Sequence, residues 1–308
     1  MSMNVLFPGA LSTFQDSGRF GYQEIGVTGS GAMDSISMRQ ANALVGNAPD
    51  EAVLEITVVG PMLTFTEDAI VAVSGADMDL KLNQTPVPVN ESFVIHAGDS
   101  LTFGFARSGC RSYLAVKGGF DLTPALGSCS TNLKCSLGGF EGRALAAGDQ
   151  IPLKEKADLT SYTAKTFPWS APDTSVTLRV VSGPQSEYFT KKGTATFFKE
   201  AYKVTEDADR MGYKLSGPAV EAAEGVDIVS DGITFGSVQI PPNGMPIVMM
   251  ADHQTTGGYA KIGTVISSDL PKLAQLKPGD TVHFAPISVE DAQKIYKETQ
   301  KNIKEYFR

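Results

Sequence analysis

The sequence predicts a mostly β protein, two β domains with a few short helices, and three observations carry that reading. Apolar residues alternate with polar ones: Leu101, Phe103 and Phe105 are separated by Thr102 and Gly104, and Val176, Leu178 and Val180 by Thr177 and Arg179. Glycine and proline, 31 and 17 of 308 residues, exceed average usage and are spread along the whole length, as many turns and short strands require. A turn-to-strand signature recurs three times, at Ala97-Gly98-Asp99, Ala147-Gly148-Asp149 and Pro278-Gly279-Asp280, with Leu101, Ile151 or Val282 following within two residues. Glycine accepts a positive φ and aspartate can bond the backbone two residues on, so each reads as a tight turn into a strand.

In chain order, Asp34 is the first N-cap. Met38, Ala41 and Val45 then repeat at i, i+3 and i+7, and Gly46-Asn47 stops the helix. The unbroken apolar runs Ile70-Val71-Ala72-Val73 and Ile247-Val248-Met249-Met250 read as buried strands. Ser268-Asp269 opens a short helix over Leu270 to Leu276, ended by Pro278-Gly279. Ser288-Val289-Glu290-Asp291 resembles a capping box that starts a charged surface helix running towards Arg308. Lys154 to Asp173, polar and aperiodic, with two prolines and the single Trp169, reads as a linker. The predicted division is therefore 1–160, an N-terminal β domain, and 161–308, a C-terminal β-barrel domain with the terminal helix. A short echo crosses that division: Arg19-Phe20-Gly21-Tyr22 and Arg210-Met211-Gly212-Tyr213.

Composition narrows the function. With 42% hydrophobic and 19% charged residues the chain affords a sizeable core. A net charge of −8 and a pI near 5.0 leave no electrostatic footprint for nucleic acid or an anionic membrane. Three cysteines, Cys110, Cys129 and Cys135, suit a reducing compartment without a disulfide framework, and their spacing is not that of a zinc site; no metal is expected. Neither a signal peptide nor an apolar run of ~18 residues is present, so the expected location is cytoplasmic.

No phosphate loop, GxSxG elbow, HExxH pair or twin CxxC occurs. Gly29-Ser30-Gly31-Ala32-Met33-Asp34 precedes a helix and has the outline of an anion cradle, but its cap is an acid and no lysine follows, so a structural turn is the stronger reading. His96 and His283 read as structural. His253 differs, because Asp252-His253-Gln254-Thr255-Thr256-Gly257-Gly258-Tyr259-Ala260-Lys261 packs an acid, an imidazole, an amide, two hydroxyls, a phenol and an amine at the end of a buried strand. Such density is typical of a site on a loop held by a rigid scaffold, and the paired glycines allow backbone to approach a ligand. Arg210, in Asp209-Arg210-Met211-Gly212-Tyr213, offers a rigid fork to a carboxylate or phosphate; the alternative is a buried Asp–Arg brace between strands. Asp16 and Arg19 flank a turn in Thr13 to Arg19, and Gly138-Gly139-Phe140-Glu141-Gly142-Arg143 serves either a hairpin or a ligand.

Taken together, Phe14-Gln15-Asp16-Ser17-Gly18-Arg19, Gly31-Ala32-Met33-Asp34, Leu54-Glu55-Ile56-Thr57, Ser74-Gly75-Ala76-Asp77, Gly138 to Arg143, Asp209 to Tyr213, Asp252 to Tyr259 and Leu273-Ala274-Gln275-Leu276, in this order, closely resemble the biotin-dependent carboxyltransferase subunit family. This family is also called allophanate hydrolase subunit 2 or KipA-like, and its bacterial members are mostly read as the C component of 5-oxoprolinase. The resemblance runs from about Leu11 to Asp280. Ala208 departs from it, standing where a serine usually precedes Asp-Arg-Met-Gly.

The resemblance implies a cyclophilin-like β-barrel architecture and membership of a hetero-oligomeric hydrolase, 5-oxoprolinase. Its other members are a KipI-like B component and an A component, and together they open 5-oxoproline to L-glutamate at the expense of ATP. ATP is then a cofactor of the complex. The alternatives it implies are the carboxyltransferase component of a biotin-dependent, urea carboxylase-like system, or a non-catalytic antagonist of a kinase inhibitor. Val248-Met249-Met250 lacks the lysine of a biotin-attachment motif, so no covalent biotin is expected on this chain. A lactam is resonance-stabilised; phosphorylating its carbonyl oxygen would make an electrophile that water attacks, at a site with a cation for the substrate carboxylate, donors for developing charge and a base. On that pattern Arg210 holds the carboxylate, Lys261, Thr255 and Thr256 stabilise charge, and His253, oriented by Asp252, moves a proton, with Gln254, Gly257, Gly258 and Tyr259 lining the same small-molecule site. Asp16, Arg19, Asp34 and Arg143 rank lower, as border or partner-facing residues. Arg210 and Asp252 to Lys261 are expected to converge on one cleft.

Overall fold

The computed structural model describes residues 1–308. The chain forms two compact units: the first is Met1–Arg19, Ser30–Pro172 and Ile303–Arg308, the second Phe20–Gly29 and Asp173–Asn302. The division falls twelve residues later than the sequence suggests, and each unit lends the other a short segment. The reason lies in the expected linker, which is a strap bound to the first unit. Lys165 N donates to Ser92 Oγ (2.9 Å), Ser92 N to Lys165 O (2.9 Å), Phe167 N to Asn90 O (2.9 Å) and Trp169 Nε1 to Gly75 O (2.9 Å). Ala157, Leu159, Tyr162 and Phe167 pack on a core beneath it. Four apolar side chains among charges are too few for a periodic signal, yet enough to dock a strap.

The first unit has a six-stranded sheet in the order Gln150–Pro152, Ser2–Phe7, Met62–Phe65, Ser100–Thr102, Lys81–Leu82, Thr85–Pro86, and a five-stranded sheet in the order Leu11–Gln15, Val53–Thr57, Ser108–Val116, Ala69–Asp77, Ser92–Ile95. Met3, Val5, Leu63, Phe65 and Leu101 of the first sheet share a core with Phe14, Leu54, Ile56, Val71, Val73 and Leu114 of the second. The far face of the second sheet, Val53, Ile70, Ala72, Tyr113 and Ala115, packs on Met38, Ala41, Leu44 and Val45 of helix α1 (Ser35–Val45). With both faces covered, Ala69–Asp77 has no solvated side to alternate with, hence its unbroken apolar run.

The second unit is a closed seven-stranded barrel in the order Ser175–Ser182, Lys261–Val265, Ser237–Gln239, Ile247–Met249, Gly212–Ser216, Tyr202–Val204, Thr281–Pro286, the last pairing in parallel with the first. The expected β-barrel is present, and closure removes every exposed edge. Val176, Leu178 and Val180 alternate inward along Ser175–Ser182. Helix α2 (Lys191–Lys199) stacks Phe197 on Phe284 at 4.3 Å. A separate two-stranded ribbon, Asp227–Gly232 with Thr256–Tyr259, carries the polar run singled out above.

All three Gly-Asp turns form, by a bond the sequence did not anticipate. Each carboxylate accepts from the backbone N–H three residues back: Asp99 from His96 (2.8 Å), Asp149 from Ala146 (2.7 Å) and Asp280 from Lys277 (2.8 Å). Gly98, Gly148 and Gly279 have φ of +89°, +93° and +91°. Helix α3 is shorter than expected, Leu270–Ala274, and Asp269 does not cap it. Fully buried, Asp269 holds the Arg179 guanidinium at 2.8 and 2.7 Å and Lys272 at 2.8 Å. The last helix, α4 (Val289–Glu305), is capped by Ser288 as expected. No helix is long and apolar enough to cross a membrane.

Candidate functional site

The polar run begins where strand Ile247–Met249 ends. The chain turns, with His253 N donating to Met250 O (3.1 Å) and Asp252 N to Arg210 O (2.8 Å), then runs out along the ribbon strand Thr256–Tyr259 and returns to the barrel as Lys261–Val265. Arg210 and Asp252 meet directly: Nε donates to Oδ2 at 2.8 Å and Nη2 to Oδ1 at 3.3 Å, with both residues buried. Of the two readings open in the sequence, the geometry is that of the brace. The fork assigned to a substrate carboxylate is engaged by a carboxylate of this chain.

His253 is oriented by Gln254, not by Asp252. Its Nδ1 lies 2.7 Å from the Gln254 carbonyl oxygen, an acceptor only, so Nδ1 carries the proton and Nε2 keeps its lone pair. Burial pushes the imidazole pKa below its ordinary value, while the bond to Gln254 and the charge of Asp252 pull part of the way back. A buried, neutral imidazole with a basic Nε2 results.

Lys261 is buried and donates from Nζ to Asp231 Oδ2 (2.6 Å) and Gly232 O (2.8 Å), latching the barrel to the ribbon. The Lys261 hydrogen bond holds the half-exposed Asp231 carboxyl below its usual range. Lys261 N also donates to Gln185 Oε1 (3.2 Å). In the register of strand Ser237–Gln239, Lys261 pairs with Gln239, whereas Gly236 N bonds Met249 O, just ahead of the Arg210–Asp252 turn. Arg210 and Asp252 therefore come together at one end of this strand, and Lys261 lies at the other, joined to them by the ribbon.

Thr256 and Tyr259 are exposed on the ribbon, Gln254 and Thr255 half-buried, and Thr255 O accepts from Ile233 N (3.0 Å). The two glycines differ. A Cβ on Gly257 would lie 2.5 Å from Ile233 Cδ1 and 2.7 Å from Gln239 Nε2, so the close approach is by this chain's own side chains; a Cβ on Gly258 would meet only Ile228 O, at 3.5 Å.

Asp16, Arg19, Asp34 and Arg143 all belong to the first unit, and each is engaged there. Asp16 accepts from Ser128 Oγ, Ser130 Oγ, Cys129 N and Gly18 N at 2.6–2.7 Å. Arg19 donates to Ser130 O and Ala125 O beside a cavity of about 430 Å³ lined by Asp121 to Ala125 and Gly138 to Gly142. Asp34 caps α1, accepting from Ile36 N and Ser37 N. Arg143 braces Glu141 and Asp149 on the surface. The Gly29–Asp34 turn is no anion cradle, since the buried Glu55 carboxylate already occupies it, accepting from Met33 N (2.8 Å) and Tyr113 Oη (2.9 Å).

Sequence reasoning missed Asp231, Gln185 and Gln239. Gln239 had a usable signal, a lone amide between Val238 and Ile240 in a strand ended by Pro241-Pro242. It is 2% exposed and its Nε2 has no hydrogen-bond partner.

A two-sheet unit followed by a closed barrel, with a buried Arg210–Asp252 pair and a half-exposed Lys261–Asp231 pair towards the two ends of one short barrel strand, defines a class: a two-part β protein with a small polar site. The model of the carboxyltransferase domain, subdomains A and B, matches residues 25–286, and the chain belongs to that family. It is similar to the C component of 5-oxoprolinase from Haemophilus influenzae, 39% identical over 293 residues covering 94% of this chain and 92% of that protein. The corresponding Escherichia coli protein is 36% identical over 301 residues, 97% and 96% of the two chains. The crystal structure of K. lactis urea amidolyase superposes with a TM-score of 0.92 at 32% identity, covering 99% of this chain, which spans only 20% of that longer one.

Proposed function

We propose that the chain is one component of an ATP-dependent 5-oxoprolinase, which opens 5-oxoproline to L-glutamate together with two partner proteins, the A and B components. The observation that carries this reading is the end-to-end match: relatives named as the C component of 5-oxoprolinase are covered over 92% and 96% of their lengths. The residues at the glycine-bearing start of α1, with Glu55 seated there and Asp34 capping, do not fit a nucleotide phosphate, so ATP is assigned to the complex and no step on this chain is routed through it.

This chain's part is to hold the amide and move a proton. The neutral Nε2 of His253 accepts the proton of the attacking water. Lys261 spends two of its three N–H bonds on Asp231 and Gly232 and offers the third to negative charge developing on the amide carbonyl oxygen. Gln254, Thr255, Thr256 and Tyr259 supply polar contacts along the ribbon. Arg210 acts through Asp252, fixing the turn that presents His253.

A second reading, the carboxyltransferase component of a biotin-dependent system, is favoured by the 0.92 TM-score to urea amidolyase over 99% of the chain. Biotin would then arrive on a partner. Co-expression with the two partner proteins tests the first reading: glutamate and phosphate form from 5-oxoproline and ATP, and the chain alone is inactive. Turnover by the chain alone, or biotin-stimulated carboxylation of urea in place of lactam opening, would overturn it.

A further inference from the structure

The least explained polar group in the barrel unit is the side chain of Gln239. It is 2% exposed, and its Nε2 donor reaches no acceptor. Buried amide groups are nearly always hydrogen-bonded, because leaving one unpaired forfeits its hydration with no return. An unpartnered carboxamide held in a folded protein points to a ligand.

Its surroundings say what kind. Gln239 and Lys261 pair on adjacent antiparallel strands at a β-bulge, and both side chains reach the same rung of the ribbon, Lys261 Nζ at Asp231 and Gln239 Nε2 beside Gly257, which pairs with Asp231. Lys261 Nζ has one N–H left after Asp231 and Gly232. Across from the amide, residue 257 is glycine, and any Cβ there would stand 2.7 Å from Nε2 and displace it. The ribbon above is mostly solvent-exposed along Asp227–Gly232 and is latched by the Lys261–Asp231 pair.

We infer that the Gln239 carboxamide, beside the Lys261 ammonium and under Gly257, is where the protein recognises a cis-amide, the N–H and C=O that a lactam or ureido ring presents side by side. A primary carboxamide offers one N–H and one C=O in the same plane at matching separation, so it closes a two-bond ring with a cis-amide. A trans peptide, whose N–H and C=O point apart, cannot form that ring. The remaining Lys261 N–H takes the second lone pair of the same ligand carbonyl. The assignment deepens the proposed function, resting on the reading that the barrel unit handles a cyclic amide, and it extends equally to the ureido group of urea or biotin.

The test is equilibrium dialysis of labelled 5-oxoproline, urea, biotin amide and proline, on the full chain and on its complex with the co-expressed partner proteins, with wild type and the variants Gln239→Leu and Gly257→Ala. Proline keeps the ring and carboxylate but lacks the lactam carbonyl. The expected result is that one cis-amide ligand binds, proline does not, and each variant weakens binding about 10- to 100-fold, the range of one or two lost hydrogen bonds. Gln239→Leu should meanwhile melt no lower than wild type, because it removes an unpartnered buried amide; a residue with a purely structural role would lower Tm and leave affinity unchanged. Binding of urea or biotin amide through Gln239, without turnover of 5-oxoproline by the complex, would uphold the recognition point and sink the 5-oxoprolinase reading. Unchanged affinity in Gln239→Leu, equal binding of proline, or no cis-amide bound by wild type in either preparation overturns the inference.

Discussion

Replacing Arg210 by Met separates the brace from the substrate anchor. The guanidinium makes two charge-assisted bonds to Asp252, and both residues are buried, so the substitution strands a carboxylate with little access to water. Removing one partner of a buried pair costs about 3–5 kcal/mol. Asp252 keeps 9% exposure and its own N–H still bonds the backbone of residue 210, so the lower end applies, about 3 kcal/mol, or a little over a hundredfold in the folding equilibrium. With a urea m-value of about 3 kcal/mol/M, the denaturation midpoint followed by circular dichroism should fall by roughly 1 M. Arg210→Met/Asp252→Leu should regain at least half of the loss, since an apolar pair of similar volume leaves no stranded charge. A midpoint within about 0.3 M of wild type, about 1 kcal/mol on the same m-value, combined with a collapse of activity in the complex, would refute the brace and return Arg210 to the substrate.

His253 is buried with its pKa depressed, so the unfolded chain takes up its proton more readily; stability should fall as pH drops below about 6.5 and level off beneath the folded value, and denaturation of His253→Gln at pH 5 and 7 should show that slope removed. If Nε2 is the base, kcat/KM of the complex should be flat above that range and decline only at more acid pH. For Asp269 burial pushes the pKa up, but Arg179 and Lys272 outweigh it and hold the group lowered, so its contribution is present above the ordinary carboxylate range and lost in stronger acid; Asp269→Asn should destabilise at pH 7 and flatten acid unfolding, read by circular dichroism. Gly98→Ala, Gly148→Ala and Gly279→Ala, where a Cβ would meet nothing within 4 Å, should each cost only the backbone term of about 1–2 kcal/mol, whereas Gly138→Ala, 2.2 Å from Ser130 O, should cost clearly more in the same melts.

Much of the fold was legible because local chemistry and tertiary need agree. The three Gly-Asp turns, the Asp34 cap and the alternation along Ser175–Ser182 are short-range features that any surrounding would favour. The strap through Phe167 was not, since its residues acquire meaning only from Asn90 and Ser92, more than 70 positions away. The same limit applies to the echo: Arg19 ends on backbone carbonyls in one unit and Arg210 on an acid 42 residues later in the other, so four shared letters hide different work. At the site, the polar run was visible as a dense string, but its division of labour was not. That Asp252 answers Arg210 while Gln254 answers His253 depends on which way the turn after Met250 folds. Gln239 carried one signal, a lone amide between apolar neighbours, but what sets it apart shows only in the structure, where its Nε2 has no partner.

The lending of segments between the units also bears on how the protein is made. Residues 303–308 complete the first unit, where the Tyr306 hydroxyl accepts from Gln40 Nε2 at 3.0 Å and its ring packs on Phe167 at 4.9 Å. Domains emerging from a ribosome ordinarily close in N-to-C order. Here the earlier unit must wait, its last tyrosine still unsynthesised, while all of the later barrel is translated. A nascent chain arrested before residue 303 would thus lack the contacts of Tyr306 with Gln40 and Phe167 however well its barrel had folded.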